Sequence, residues 1–297
     1  DTWVISSQKE KSLLEKLTSN HKTLKDFVGG EAYRGVLTGL SDAFFIDDST
    51  KEFLIEKDSN SAELIRPLLR GRNIQAWQQV SDDQYLICTF PALHLDIEKY
   101  PAIKNHLLSF GIERLEQSGA KGSRKKTSNK WFETQDTINY YEQFAKPKIM
   151  YQAFQVKPCF IYDEQGFYSN NSMWFIPTQS KSLLAILNSK MGWWLITKFC
   201  SQIQNGYQLI WKYFGQIPIP AVNNDSLLSS LADTMLSLNA DLQQKRSRFL
   251  RRLHENFEGV KITGALETFD TLQFADFLKE LKKQKIKLTL PQQDEWE

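Results

Sequence analysis

Apolar residues recur at two periods along this chain, and the switches between them mark its organisation. Leu13, Leu14 and Leu17 fall on one face of a short amphipathic helix over 8–19. From Gly29-Gly30 the texture changes to glycine turns and short apolar runs, which predict strands near 43–47, 52–57 and 84–90. Leu64, Ile65, Leu68 and Leu69 read as a helical run that ends in an Arg-Gly-Arg corner, Arg70 to Arg72. A helix is expected over about 100–117, with Pro101 in its first turn, where the missing N–H is harmless. A Gly/Ser/Thr loop follows over 119–130, then a short helix near 136–144. "KPKIMYQAF" and "KPCFIYDEQGFYSNN" predict a strand pair, "NSMWFIP" another strand, and 179–202 a long helix. Its Trp193 and Trp194 are expected in the core. Asn205-Gly206 signals a turn, and "QIPIP" (216–220) an extended exit.

Beyond 220 the period settles to helix. Leu228, Leu231, Met235, Leu238 and Leu242 alternate spacings of three and four, a heptad seam that slips toward Phe249, Leu250 and Leu253. A further amphipathic helix covers 269–288. Two paired helices of this chain, or a second copy forming a homodimer through 226–256, explain the stripe equally well. The whole predicts an α+β protein: a mixed-sheet region followed by a helical one.

Composition narrows the classes. The chain has 297 residues, 41% hydrophobic and 24% charged, as in soluble globular proteins of one or two lobes. No run of about 18 apolar residues suggests a membrane span. The N-terminus lacks the pattern of a signal peptide and a starting Met, which predicts a piece of a longer protein. Cys88, Cys159 and Cys200 lie far apart, as do the four histidines, so neither disulfides nor a metal site is expected, and a cytoplasmic location fits. No two glycines lie two apart, which removes the G-x-G turn of dinucleotide and S-adenosylmethionine sites. Glu280-Leu281-Lys282, with Asp276 one turn earlier, resembles a nuclease triad only in composition, because all four residues share one predicted surface helix.

The formal charge of +2 conceals clusters. "KGSRKKTSNK" (121–130) holds Lys121, Arg124, Lys125, Lys126 and Lys130 without an acid, and "QQKRSRFLRR" (243–252) holds five more cations. Five phosphate contacts by the first cluster predict a salt slope of roughly −4.5. Asn129 and Trp131 close that loop, and an Asn side chain pairs with the edge of adenine. The second cluster flanks the leucine stripe and reads as a solvated face.

The pieces "YRGVLTGLSDAFFID", "IRPLLRGRNIQAW", "IEKYPAIKNHLLSFGIERLEQ", "KWFETQ", "KPKIMYQ", "LLAILNSKMGWWLI" and "QIPIP" occur in one order across about residues 30–220. Together they resemble the TaqI-like C-terminal specificity domain of type IIG and related restriction–modification enzymes. The helix after "QIPIP" is similar to the spacer helices of type I specificity subunits. The resemblance implies a unit that follows an adenine-N6 methyltransferase and recognises double-stranded DNA. It implies a connector over 1–28, a target recognition domain over 29–221 and a helical spacer over 222–297. Arg70 and Arg72, with Arg66 beside them, take either a phosphate role, Gly71 allowing close backbone approach, or a framework role with the arginines paired to acids such as Glu63; Arg34 is a further phosphate candidate. The loop 119–131 and Gln204, Asn205 and Gln208 become candidates for base reading. No cofactor is expected in this chain; S-adenosylmethionine belongs to the missing methyltransferase domain or subunit, the expected protein partner. The chain alone is expected to be no enzyme. Rival expectations are a catalytic nuclease or methyltransferase fragment, and an assembly module docking through the leucine stripe.

Overall fold

The computed structural model describes residues 7–79, 83–220 and 225–296. They form two compact units, one ending at Asp233 and the other starting at Thr234. The class is α+β, with strands confined to the first unit and helices alone in the second.

Two four-stranded sheets build the first unit. One runs in the order Phe160–Asp163, Lys148–Gln152, Met173–Pro177, Tyr33–Arg34, antiparallel throughout. The other runs Tyr168–Ser169, Ile65–Leu69, Gln84–Ile87, Phe45–Asp47, and its first pair is parallel. Leu68, Leu69, Leu86 and Ile87 from the second sheet share one core with Met150, Ile161 and Phe175 from the first. Phe144 ties them together, stacked on Tyr168 at 4.2 Å and tilted against Phe175 at 4.5 Å. Inside this core Lys148 is fully buried, bonded to Asp163 and to the Phe144 carbonyl. Asp163 in turn accepts the backbone N–H groups of Gln165 and Phe167, so its lone pairs are satisfied.

The helix at Gln8–Asn20 forms as its leucine pattern predicts, opened by a Ser7–Glu10 capping box. Elsewhere local chemistry overrides the apolar pattern. Residues 52–57 are helix, not strand, because Asp47 caps Asp48–Lys57 by accepting the Thr50 N–H at 2.8 Å. Residues 65–69 are strand, not helix: Pro67 cannot donate a helical hydrogen bond, and Ile65, Arg66 and Pro67 pair instead with Ile87, Leu86 and Tyr85. The helix expected over 100–117 breaks into Pro101–Leu108 and Ile112–Leu115 at Gly111, whose φ is +90°. The helix over 179–202 is two, Lys181–Asn188 and Lys190–Phe199, since extended Ser189 accepts the Gly192 N–H and starts a new helix. Trp193 and Trp194 are half-buried rather than core. Near 136–144 only a tight turn at Tyr141–Ala145 forms.

The leucine stripe lies on one helix, Asp225–Asn256: Leu231, Met235 and Leu238 are between 38% and 58% exposed, as is neighbouring Leu227, while Leu228 and Leu242 are half-buried. The second unit has its own core of Leu253, Phe257, Val260, Leu266, Phe277 and Leu281. Phe249 stacks on Phe269 at 3.6 Å beside it. Among the described residues, no helix is long and apolar enough to cross a membrane.

Candidate nucleic-acid interface

The strand Ile65–Leu69 delivers the chain to Arg70, where it turns through Gly71–Asn73. Asn73 closes the turn by accepting the Arg70 N–H at 2.9 Å. Gln152, at the end of the neighbouring sheet's central strand, donates its amide to the Gly71 carbonyl. A Cβ at position 71 would sit 3.2 Å from that amide, so the close approach served by Gly71 is that of Gln152. Arg70 lies over the Phe45 ring, 5.0 Å from its centre, and donates to Gln84 Oε1 at 2.6 Å. Arg72 is exposed. Parallel pairing of Leu69 with Ser169 brings Asn170 and Ser172 alongside. Arg70, Gly71, Arg72, Gln152, Phe154, Asn170 and Ser172 together line an open cleft of about 380 Å³. Its lining residues are two arginines, three with neutral hydrogen-bonding side chains and one phenylalanine.

Phe154 extends this cleft onto a second surface. Phe154–Gln155 pairs with Gly206–Gln208, which pairs with Ser201–Ile203, giving a small antiparallel ribbon. Its tip is Gln204-Asn205, with Gln204 at a φ of +52°. The expected turn at Asn205-Gly206 is thus displaced by one residue. Gly206 is needed for a different reason: a Cβ there would lie 2.6 Å from the Gln155 carbonyl oxygen. Gln202, Gln204 and Asn205 are exposed and Gln208 is half-buried. Register places Gln208 opposite Phe154, so the fold brings Arg70 and Arg72 together with the amide-bearing hairpin.

The basic loop packs on other elements. Arg124, expected at a phosphate, is instead 3% exposed. Its guanidinium donates to the carbonyls of Leu115 (2.8 and 2.5 Å), Thr38 (2.8 Å), Glu133 (2.7 Å) and Trp131 (2.5 Å). Burial holds its pKa down at about 10, with nearby Glu133 opposing. Asn129 also departs from expectation, since its amide nitrogen donates to the carbonyls of Thr134 (3.1 Å) and Gln135 (3.0 Å). A paired contact to adenine needs that nitrogen. Trp131 is half-buried against the core and edge-on to Phe132. Lys121, Lys125, Lys126 and Lys130 are exposed on this braced loop.

Two further arginines are engaged within the fold. Arg34 pairs with Asp136 at 2.6 Å, and Arg66 donates to the Ala62 and Ile65 carbonyls at 3.0 and 2.9 Å. Glu63 accepts the Tyr100 hydroxyl rather than an arginine. In the second basic cluster, Arg246 forms a two-point pair with Asp270 at 2.7 and 2.8 Å, and Arg252 meets Glu295 at 3.0 Å.

Burial pushes the Cys159 thiol up to about 11 and Cys200 to about 12, and raises Cys88 as well. Asp276 and Glu280 each pair with a lysine one turn away, Lys279 and Lys283. Among the described residues, no three His, Cys, Asp or Glu side chains converge as metal ligands. Gln152, Phe154, Asn170 and Ser172 were not singled out from the sequence, because the stretches that carry them read as ordinary strands. Only the parallel pairing and the ribbon register reveal them.

A cationic turn, an amide-bearing ribbon and a braced basic loop share one mixed α+β scaffold. Residues 66–219, more than half of the chain, match the TaqI-like C-terminal specificity domain family, and the chain belongs to that family. The matched span begins after "YRGVLTGLSDAFFID". Residues 222–297 match a second family, described as a domain of unknown function (DUF8810). Two solved structures are similar to the chain. The type IIL restriction–modification enzyme MmeI, solved in complex with DNA, is 12% identical with a TM-score of 0.45, covering 85% of this chain and 31% of that one. The type IIG restriction endonuclease BpuSI is 16% identical with a TM-score of 0.45, covering 77% and 28%. The chain therefore spans less than a third of the length of either protein.

Proposed function

We propose that this chain is the DNA-recognition part of a restriction–modification enzyme, directing adenine-N6 methylation, and cleavage where the parent cuts, by a catalytic part on other polypeptide. It acts in the cytoplasm on double-stranded DNA and has no chemistry or cofactor of its own. The observation that carries this reading is the cleft: Arg70, Arg72, Gln152, Asn170 and Ser172 line one open surface, beside a ribbon tipped with Gln204 and Asn205. Arginine suits phosphate or guanine, and amides suit base edges. Arg70 and Arg72 take the backbone or a guanine, Gln204, Asn205 and Gln208 the bases, and Lys121, Lys125, Lys126 and Lys130 the flanking phosphates. Four such lysine contacts give a salt slope of roughly −3.6, a loss of about 150-fold between 50 and 200 mM salt.

Selection of bound duplexes from a randomised pool tests the reading. Recovery of one sequence family, with affinity falling on substitution of its bases, is the expected result. Failure to retain any duplex at low ionic strength refutes it. The exposed part of the stripe, Leu231, Met235 and Leu238, with Leu227 beside it, favours a second function alongside, self-association or docking on a partner subunit. Light scattering of wild type and Met235→Lys checks it: a single monomeric species in both leaves no homodimer.

A further inference from the structure

The three-stranded ribbon has two unlike faces. On its inner side, Gln155 is buried and bonded to the Cys159 N–H (3.0 Å) and carbonyl (3.2 Å), while Tyr207 packs edge-on against Trp193. On its outer side, cross-strand register places Ile203 opposite Gly206, and the Phe154 ring lies across the same glycine. A Cβ at 206 would meet the Phe154 Cζ at 2.6 Å. Phe154 is 38% exposed and Ile203 42%; Val156, two residues on, is 51% exposed. Among the described residues no other ring stacks on Phe154. The ring lies against the Gly206 backbone and is partly exposed.

This apolar tip borders a cationic cleft. Phe154 lines the same cavity as Arg70 and Arg72, and Lys157 is exposed just beyond it. An occupant must offer flat apolar surface and negative charge within a few ångströms of each other. A nucleotide step does so, with base faces between phosphates. Inserted apolar side chains partly unstack a base step and kink the duplex, and pyrimidine–purine steps yield most easily.

We propose that Phe154, with Ile203 beside it, inserts as a wedge at one base step of the bound duplex and sets sequence preference there through the ease of unstacking. The proposal rests on the DNA-recognition reading above. The rigid glycine-backed seat keeps the ring from folding away, and the arginines hold the flanking backbone while the step opens. Preference at this position comes from deformability rather than from hydrogen bonds.

The test uses the duplex recovered from the random pool, with 2-aminopurine replacing each adenine in turn. On binding wild-type protein, one position is expected to brighten severalfold, next to a TA or CA/TG step. Phe154→Ala should abolish that signal and weaken the intact duplex about tenfold, the scale of one aromatic–base stack. It should weaken a duplex with a one-nucleotide bulge at the step about twofold or less, because the bulge is already unstacked. Ile203→Ser, also at an exposed position, should diminish the same signal, and matching thermal melts confirm that both variants are folded. Tight, salt-dependent binding with no brightening at any position overturns the wedge and leaves the recognition function standing. Equal weakening of intact and bulged duplexes by Phe154→Ala also overturns it. Absence of duplex binding altogether removes the recognition function itself.

Discussion

Arg124 offers the sharpest separation of framework from interface. Sequence places it among DNA-facing cations; the structure buries it against four carbonyls. Replacing it with Met keeps most of the apolar stem and removes five hydrogen bonds. Each orphaned carbonyl costs about 1 kcal/mol once local relaxation is allowed, so four cost about 4 kcal/mol. Relief of the buried charge, visible in the depressed pKa, returns part of that. A net loss of about 3–4 kcal/mol lowers the melting temperature of a unit of this size by roughly 6–16 °C. Thermal melts followed by circular dichroism measure this directly, with duplex titrations at 15 °C in the same samples. Arg124→Met should melt early yet bind DNA with an unchanged salt slope where it is folded. A variant that melts within a degree of wild type, while its slope flattens by one, would show the guanidinium on a phosphate and refute the framework role.

The exposed lysines should behave in the opposite way. Lys125→Ala with Lys126→Ala should leave the melt unchanged, weaken all duplexes alike and flatten the salt slope by about two; an unaltered slope removes the loop from the interface. Lys148→Met leaves Asp163 buried without its cation and should destabilise the first unit by about 3–5 kcal/mol in urea melts; an effect under 1 kcal/mol would contradict the buried pair. His106 donates to the Ala43 carbonyl at 3.1 Å, and burial lowers its pKa below the ordinary 6.5. The unfolded chain therefore takes up the proton first as pH falls, so stability should be full above about 6.5 and decline below it. Urea melts at pH 7.5 and 5.0 should show that decline, and His106→Gln should remove it.

How much was legible in the sequence follows from the range of each interaction. The seven ordered segments, the leucine face over 8–19, the leucine stripe and the basic clusters are contiguous patterns, readable without a fold. From them came the α+β class, the family resemblance and the residues of the candidate interface, including 201–208. Short elements failed where one residue outweighed the pattern, as Asp47 did at 48–57, Pro67 at 65–69 and Ser189 between two helices.

Sequence alone thus determined which residues carry charge and where the apolar period changes, because both are properties of neighbours along the chain. Only the tertiary structure decided which cations face outward. Arg124 finds Thr38 across 86 positions, and Arg34 finds Asp136 across 102. Gln152 reaches Gly71 across 81. Each such arginine looks the same in sequence as one that meets solvent, since its hydration is exchanged for a protein partner only after distant backbone is brought beside it. The cleft around Arg70 and Arg72 exists for the same reason: parallel pairing of residues a hundred positions apart sets Asn170 and Ser172 against a turn that had already been named.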